Sequence, residues 1–207
     1  LASLSIDNEA NLAGLPQSVV SAAAEAATAA GEDGKWVFTL HKPSWIPFLQ
    51  YADNRDLREE LYKAMYMRAN NDNEFDNKNL INEIVNLRLE RSKLLGYKNF
   101  AAYALEERMA KNEENVYKLL NDVWAYALPQ TKLEAAELQA IADREGANIE
   151  LASWDWWYYT EKLRQEKYNL NEEELRPYFK MENVREGVFM VANKLWGLNF
   201  KKLDNIP

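Results

Sequence analysis

The chain has no cysteine. That removes disulfides, iron–sulfur clusters and cysteine-built zinc sites, and it leaves the redox compartment open. It has a single histidine, His41. A catalytic zinc takes three protein ligands, and without cysteine at least two of them are as a rule imidazoles, so His41 is read as ending a strand and bonding a backbone carbonyl. The paired Glu-x-x-His motifs of di-iron bundles cannot be assembled either. No serine sits in a Gly-x-Ser-x-Gly setting, which argues against a serine triad. Glycine and proline are scarce, seven and six of 207 residues, about half the usual share. Few turn formers means few turns, which favours long helices over many short strands. Long apolar runs are missing as well. The nearest to one, Leu12 to Ala30, is mostly alanine and holds Pro16, Gln17 and Glu25, so no membrane span is expected. The first basic residue is Lys35, so the positive n-region of a secretory signal is not visible. Cytoplasmic location is the expectation, with the periplasm as the alternative. Basic charge is in deficit overall: 25 Lys and Arg against 33 Asp and Glu, a net charge of -8. Such a surface repels phosphate backbones, and no nucleic-acid partner is expected.

What is present is ordinary globular composition, 47% hydrophobic and 28% charged. A chain of this length can bury roughly 70% of its unfolded surface, so one large domain or two small ones can form a core without staples. It begins at Leu1 and breaks off at Leu203-Asp204-Asn205-Ile206-Pro207, and it reads as an excised segment of a longer protein.

The apolar rhythm predicts a series of helices. Pro16 suits a first turn, and Val19 to Ala30 is a run of helix formers stopped by Gly31. Trp36 to Leu40 is the one convincing strand, β-branched and aromatic between Gly34 and Pro43. Ser44 is placed as the cap of a short helix to about Tyr51. Asn54 caps the next, with Leu57, Leu61, Ala64, Met65 and Arg68 on one face and Glu59–Lys63 as an i,i+4 pair. After a polar loop from Asn70 to Asn79, a helix carrying Leu80, Ile81, Ile84, Val85, Leu87 and Leu94 closes at Gly96. Asn99 starts a short helix through Leu105. Asn112 caps a long one closed by Gly146, which Pro129 kinks rather than ends, because the apolar pattern resumes after it. Ser153 is placed as the cap of a helix to about Tyr168, Asn171 as the start of a short one limited by Pro177, and Asn183 as the cap of the last, closed by Gly197. The expected fold is all-α: a multi-helix domain with one short strand or hairpin near 35–40 and a long kinked helix near 112–145.

The remaining chemistry-bearing features have structural readings. Gly34-Lys35 follows Gly31 too closely for a phosphate loop, and Trp36 stands where Ser or Thr would bind magnesium. The carboxylate runs Glu59-Glu60, Glu106-Glu107, Glu113-Glu114 and Glu172-Glu173-Glu174 are consecutive, so neighbours point about 100° apart on a helix. They read as solvated faces and first-turn charges favoured by the helix dipole. The cluster Trp154, Trp156, Trp157, Tyr158, Tyr159 is the densest aromatic feature, read as core packing, with a peptide- or sugar-stacking surface as the alternative. No catalytic, metal-binding or substrate-binding residue is assigned.

Three stretches carry more. The first is Trp36 to Leu40 with Pro43-Ser44, Pro47 and Tyr51-Ala52-Asp53-Asn54-Arg55-Asp56-Leu57-Arg58-Glu59. The second runs from Leu87-Arg88-Leu89-Glu90-Arg91 through Leu94-Leu95-Gly96-Tyr97 and Phe100-Ala101 to Leu105 and Met109-Ala110. The third is Trp154-Asp155, Tyr158-Tyr159, Tyr168, Tyr178-Phe179, Val184 to Gly187, Leu195 and Gly197-Leu198. In this order and spacing the chain resembles the thimet oligopeptidase family of zinc metallopeptidases, nearest its bacterial peptidyl-dipeptidase (dipeptidyl carboxypeptidase) branch, over about residues 12–203. The family's His-Glu-x-x-His helix has no counterpart here, so no zinc ligand or general base carries over to any position. The resemblance implies the helical, non-catalytic part that precedes the catalytic region and helps wall a channel for short peptides. It further implies zinc in the intact parent but none on this chain. The implied partners are the C-terminal peptidase region and short peptides. No membrane partner is expected from the apolar pattern, and exposed apolar surface would favour self-association of the isolated chain. Uncovered apolar side chains are expected around Trp154–Tyr159 and Tyr178–Phe179. A helical peptide-binding or scaffold module without enzymatic activity is the alternative.

Overall fold

The computed structural model describes residues 3–169 and 172–205. It divides into two compact units, Leu1–Leu163 and Arg164–Pro207. Both are predominantly helical, and among the described residues no helix is long and apolar enough to cross a membrane.

The first unit opens with β1, Ser3–Ile6, which pairs antiparallel with β2, Trp36–Thr39, in the register Leu4 opposite Phe38 and Ile6 opposite Trp36. The expected strand is therefore half of a two-stranded sheet. Its partner went unforeseen because the alternation Ser3-Leu4-Ser5-Ile6 is only four residues long. Leu4, Ile6, Val37 and Phe38 are buried. A short 3-10 turn, Glu9–Leu12, capped by Asn8, leads to α1, Gln17–Ala29. Then α2, Lys42–Tyr51, and α3, Arg55–Tyr66, pack on the sheet. Phe38 meets Phe48 with ring centroids 4.5 Å apart, and Trp45, Leu49 and Leu61 complete this core. Helix α2 starts two residues before Ser44, because Pro43 suits a first turn. Ser44 Oγ instead accepts the N–H of Thr39 at 2.9 Å, tying the strand end to the helix. Asn54 caps α3 as expected, accepting the N–H groups of Asp56 and Leu57, and Glu59 pairs with Lys63.

Next come α4, Lys78–Leu94, and α5, Phe100–Leu105, capped by Asn99. Helix α6, Glu113–Arg144, is capped by Asn112 and continues through Pro129 as one helix. Its last third carries a second small core, Leu138, Ile141 and Ala142 against Tyr159 of α7, Trp156–Tyr168. Gln139 clamps the intervening loop, donating to the carbonyl of Ile149 at 2.8 Å and accepting from the N–H of Leu151 at 3.0 Å. Ser153 does not cap α7. Residues 153–155 form a turn, and the carboxylate of Asp155 takes the N–H of Ala152.

In the second unit α8, Glu172–Leu175, runs into a 3-10 turn, Arg176–Tyr178, that holds Pro177. Helix α9, Met181–Trp196, ends at Gly197 in the left-handed conformation, φ 69°. Asn183 lies inside the first turn of α9 rather than at its cap, and Asn171 lies outside the described residues. Tyr178 and Phe179 are 74% and 68% exposed, as expected.

Candidate functional site

The first sequence stretch and the start of the third, Trp154 to Tyr159, meet in the first unit, in a buried polar hub. Arg55 and Arg58 lie three residues apart at the start of α3 and so share a helix face. Asp155 sits just before α7 and is fully buried. Arg55 donates from Nη2 to Asp155 Oδ2 at 2.8 Å and from Nε to both carboxylate oxygens at 3.1 Å. Arg58, 2% exposed, donates from Nη2 to Oδ1 at 2.9 Å and from Nη1 to the carbonyls of Ala52 and Asp53 at 2.8 and 3.2 Å. The Tyr158 ring lies 4.1 Å from the Arg58 guanidinium carbon, and its hydroxyl donates to Asp53 Oδ1 at 2.8 Å. Asp53 in turn is held by its N–H on the carbonyl of Ala13. Rings close the outer side: Trp154 under Arg55 at 5.5 Å, and Trp157 edge-on to Trp45 at 6.3 Å.

Burial pushes the Asp155 pKa up, but the hydrogen bonds from Arg55, the Ala152 N–H and Arg58 outweigh it, and its pKa lies below the ordinary carboxylate value. The same contact with Asp155 raises the pKa of Arg55. Burial, then the bond to Asp53, raises that of Tyr158. The hub therefore pairs a buried carboxylate with two guanidinium groups. What it can do is lock the start of α3 to the start of α7. A group depressed in the native state stabilises it fully above the unfolded pKa, about 4 for Asp. That stability is lost as pH falls toward the lower native value. Urea midpoints measured from pH 7 down to pH 3 should fall below about pH 4, and an Asp155→Asn variant should lack this part of the decline.

The residues weighed in the sequence fall elsewhere. His41 is exposed at the N-cap of α2, and among the described residues its imidazole makes no hydrogen bond, so the expected bond to a carbonyl is not formed. Lys35 pairs with Glu32 at 3.1 Å, at the surface. Glu106 accepts from the Tyr97 hydroxyl, and Glu113 meets Lys98 in the first turn of α6. Of the run Glu172–Glu174, the first two side chains lie outside the described residues. Of the aromatic cluster, Tyr159 is buried and Trp157 is 36% exposed, so most of this stretch is packing rather than uncovered surface. The described residues do not fit a catalytic zinc. There is one imidazole and no thiol, and among the described residues no three of His, Cys, Asp and Glu come together.

Comparison with known proteins gives concordant matches. The family model of Peptidase family M3 matches residues 48–207. Oligopeptidase A of Haemophilus influenzae is 40% identical over 197 residues, covering 93% of this chain and 29% of that protein. Oligopeptidase A of Escherichia coli is 38% identical over 205 residues, covering 97% and 30%. Dipeptidyl carboxypeptidase of Escherichia coli is 34% identical over 205 residues, covering 99% and 30%. The chain thus spans a little under a third of the length of these relatives.

Proposed function

Because this chain belongs to peptidase family M3, we propose that it is a non-catalytic helical portion of a zinc-dependent peptidase that cleaves short oligopeptides or releases dipeptides. In that enzyme its helices help wall the substrate channel. The observation that carries this reading is a pairing of two facts. Nearly the whole chain aligns with oligopeptidase A and dipeptidyl carboxypeptidase, and among the described residues no three of His, Cys, Asp and Glu come together. The chemistry of peptide hydrolysis then belongs to other parts of the polypeptide, and no step of it is assigned to these residues. Here the hub keeps α3 and α7 in fixed register, which a wall that selects peptides by size requires.

Residues 1–207 alone should hold no stoichiometric zinc after dialysis and should not cleave a quenched-fluorophore peptide. The intact peptidase carrying this chain should cleave the peptide and lose activity to a chelator. Chelator-sensitive turnover by residues 1–207 alone would overturn the non-catalytic assignment, and an intact protein inert toward every short peptide would overturn the peptidase reading.

A further inference from the structure

Two helices of the first unit are apolar over more of their circumference than any packing in the structure uses. On α4, Leu80, Ile81, Ile84, Val85 and Leu87 are 47–57% exposed. With Leu94 and Leu89 at its edges, the apolar arc spans about 220° at about 100° per residue. Asn82, Glu83, Asn86, Glu90 and Lys93 fill the remaining strip, and Arg88, Arg91 and Ser92 interrupt the arc towards the C-terminal end of the helix. On the first half of α6, Tyr117, Leu119, Leu120, Val123, Trp124 and Tyr126 are 55–82% exposed and spread over about 180°. One packed face needs an apolar stripe of about 100°, and a helix apolar most of the way round belongs inside a larger body. Among the described residues α5 covers the C-terminal end of α4, where Arg88 lies on Phe100, Arg91 on Tyr103, and Ser92 is buried.

The surface area points the same way. The accessible surface is 15702 Å². A compact monomer of this mass exposes about 10,000 Å², and the two units counted as separate bodies would expose about 11,600 Å². The excess, about 4,000 Å² on the larger reference, is spread over both units, with Val188, Leu195 and Trp196 of the second unit exposed as well, and a standard interface would bury only about 800 Å² of it per partner. A two-fold dimer would also place one face of each helix against its mate and leave the other half of each arc wet.

We infer that the apolar arcs of α4 and of α6 up to Pro129 are a docking surface for the rest of the same peptidase polypeptide, which covers each helix on two sides. This rests on the peptidase reading above. The occupant is chosen because the relatives are more than three times as long as this chain, so a body of sufficient size belongs to the same polypeptide. The polar strip through Glu83 and Glu90 stays in water.

The absence of cysteine makes accessibility directly measurable. Single substitutions Ile84→Cys and Leu120→Cys place thiols on the two arcs, and Glu83→Cys places one on the polar strip. Labelling by a water-soluble maleimide, followed site by site by mass spectrometry, is compared in residues 1–207 and in the intact peptidase that carries them. In the intact protein, labelling at 84 and 120 should be at least about tenfold slower than in the isolated chain, because modification must wait for local opening. Labelling at 83 should be equally fast in both. Equal rates at 84 and 120 in the two proteins would overturn the proposal. So would protection already complete in the isolated chain and relieved by dilution, which would make a second copy the occupant. Because labelling does not depend on peptide cleavage, an intact protein without peptidase activity would refute the functional reading and leave the docking test readable.

Discussion

Replacing Asp155 by asparagine should lower the stability of the chain by about 3–5 kcal/mol, the usual consequence of removing one partner from a buried ion pair. The amide nearly matches the carboxylate in size, so packing with Trp154 and Tyr158 changes little and the loss is electrostatic. Arg55 is 33% exposed in its side chain and can turn back to water, but Arg58, at 2%, cannot. Its guanidinium would keep the carbonyls of Ala52 and Asp53 and the ring of Tyr158 while losing the carboxylate it pairs with. Urea unfolding followed by circular dichroism should show a lower midpoint with an unchanged slope. Replacing Arg58 by methionine in the same chain should restore part of the loss, because no buried charge is then left alone. A shift under about 1 kcal/mol for Asp155→Asn would mean that the hub is not the clamp described here.

The second large effect should come from Gly14→Ala. Gly14 has φ +83° and lies so close to the end of α2 that a Cβ would stand 2.1 Å from the carbonyl oxygen of Tyr51 and 2.8 Å from Asp53 Oδ1. The left-handed backbone alone costs about 1–2 kcal/mol for alanine, and forcing the segments apart adds about 1–3 kcal/mol. The movement would also loosen the bond from the Asp53 N–H to the Ala13 carbonyl and disturb the oxygen that receives the Tyr158 hydroxyl. Gly34 is the matched control. It has the same φ of +83°, but no atom lies within 4 Å of the place an alanine methyl would take, so Gly34→Ala should lose only the backbone part, about 1–2 kcal/mol. Thermal melts of the two variants side by side separate strain from clash. Equal losses would show that the close approach at Gly14 relaxes without penalty.

The local features of this fold were legible in the sequence, and the hub was not. Asn54, Asn99 and Asn112 announce helix starts because the bond they make is to their own next turn. Gly197 ends α9 for an equally local reason, its left-handed φ. Ser44, Ser153 and Asn183 have the right chemistry for caps, yet neighbouring residues set the boundaries: Pro43 starts α2 early, and α9 begins at Met181 without a side-chain cap. β1 needs a partner some thirty residues away to be recognised. Arg55 and Arg58 stand out only as two cations on one face of α3, and Asp155 only as an acid amid aromatics. That they neutralise one another is a tertiary fact, and no periodicity encodes it. The family resemblance gathers all three residues into its motifs without giving them a task.

The distance along the chain between the partners of the hub bears on the order in which the protein can be made. Arg58 and Asp155 are 97 residues apart, and Arg55 and Asp155 are 100. At about 5–20 residues per second, translation leaves roughly 5–20 s between the appearance of the arginines and that of the acid that answers them. In that interval β1, β2, α1 and α2 can gather their apolar side chains, but the carboxylate that Arg58 meets in the finished fold does not yet exist, so α3 has reason to stay in water. Closing so long a loop is dearer by about 2 kcal/mol than closing one of ten residues. The first layer of the protein is therefore finished from behind, by a residue that emerges after both α4 and α6 have been synthesised.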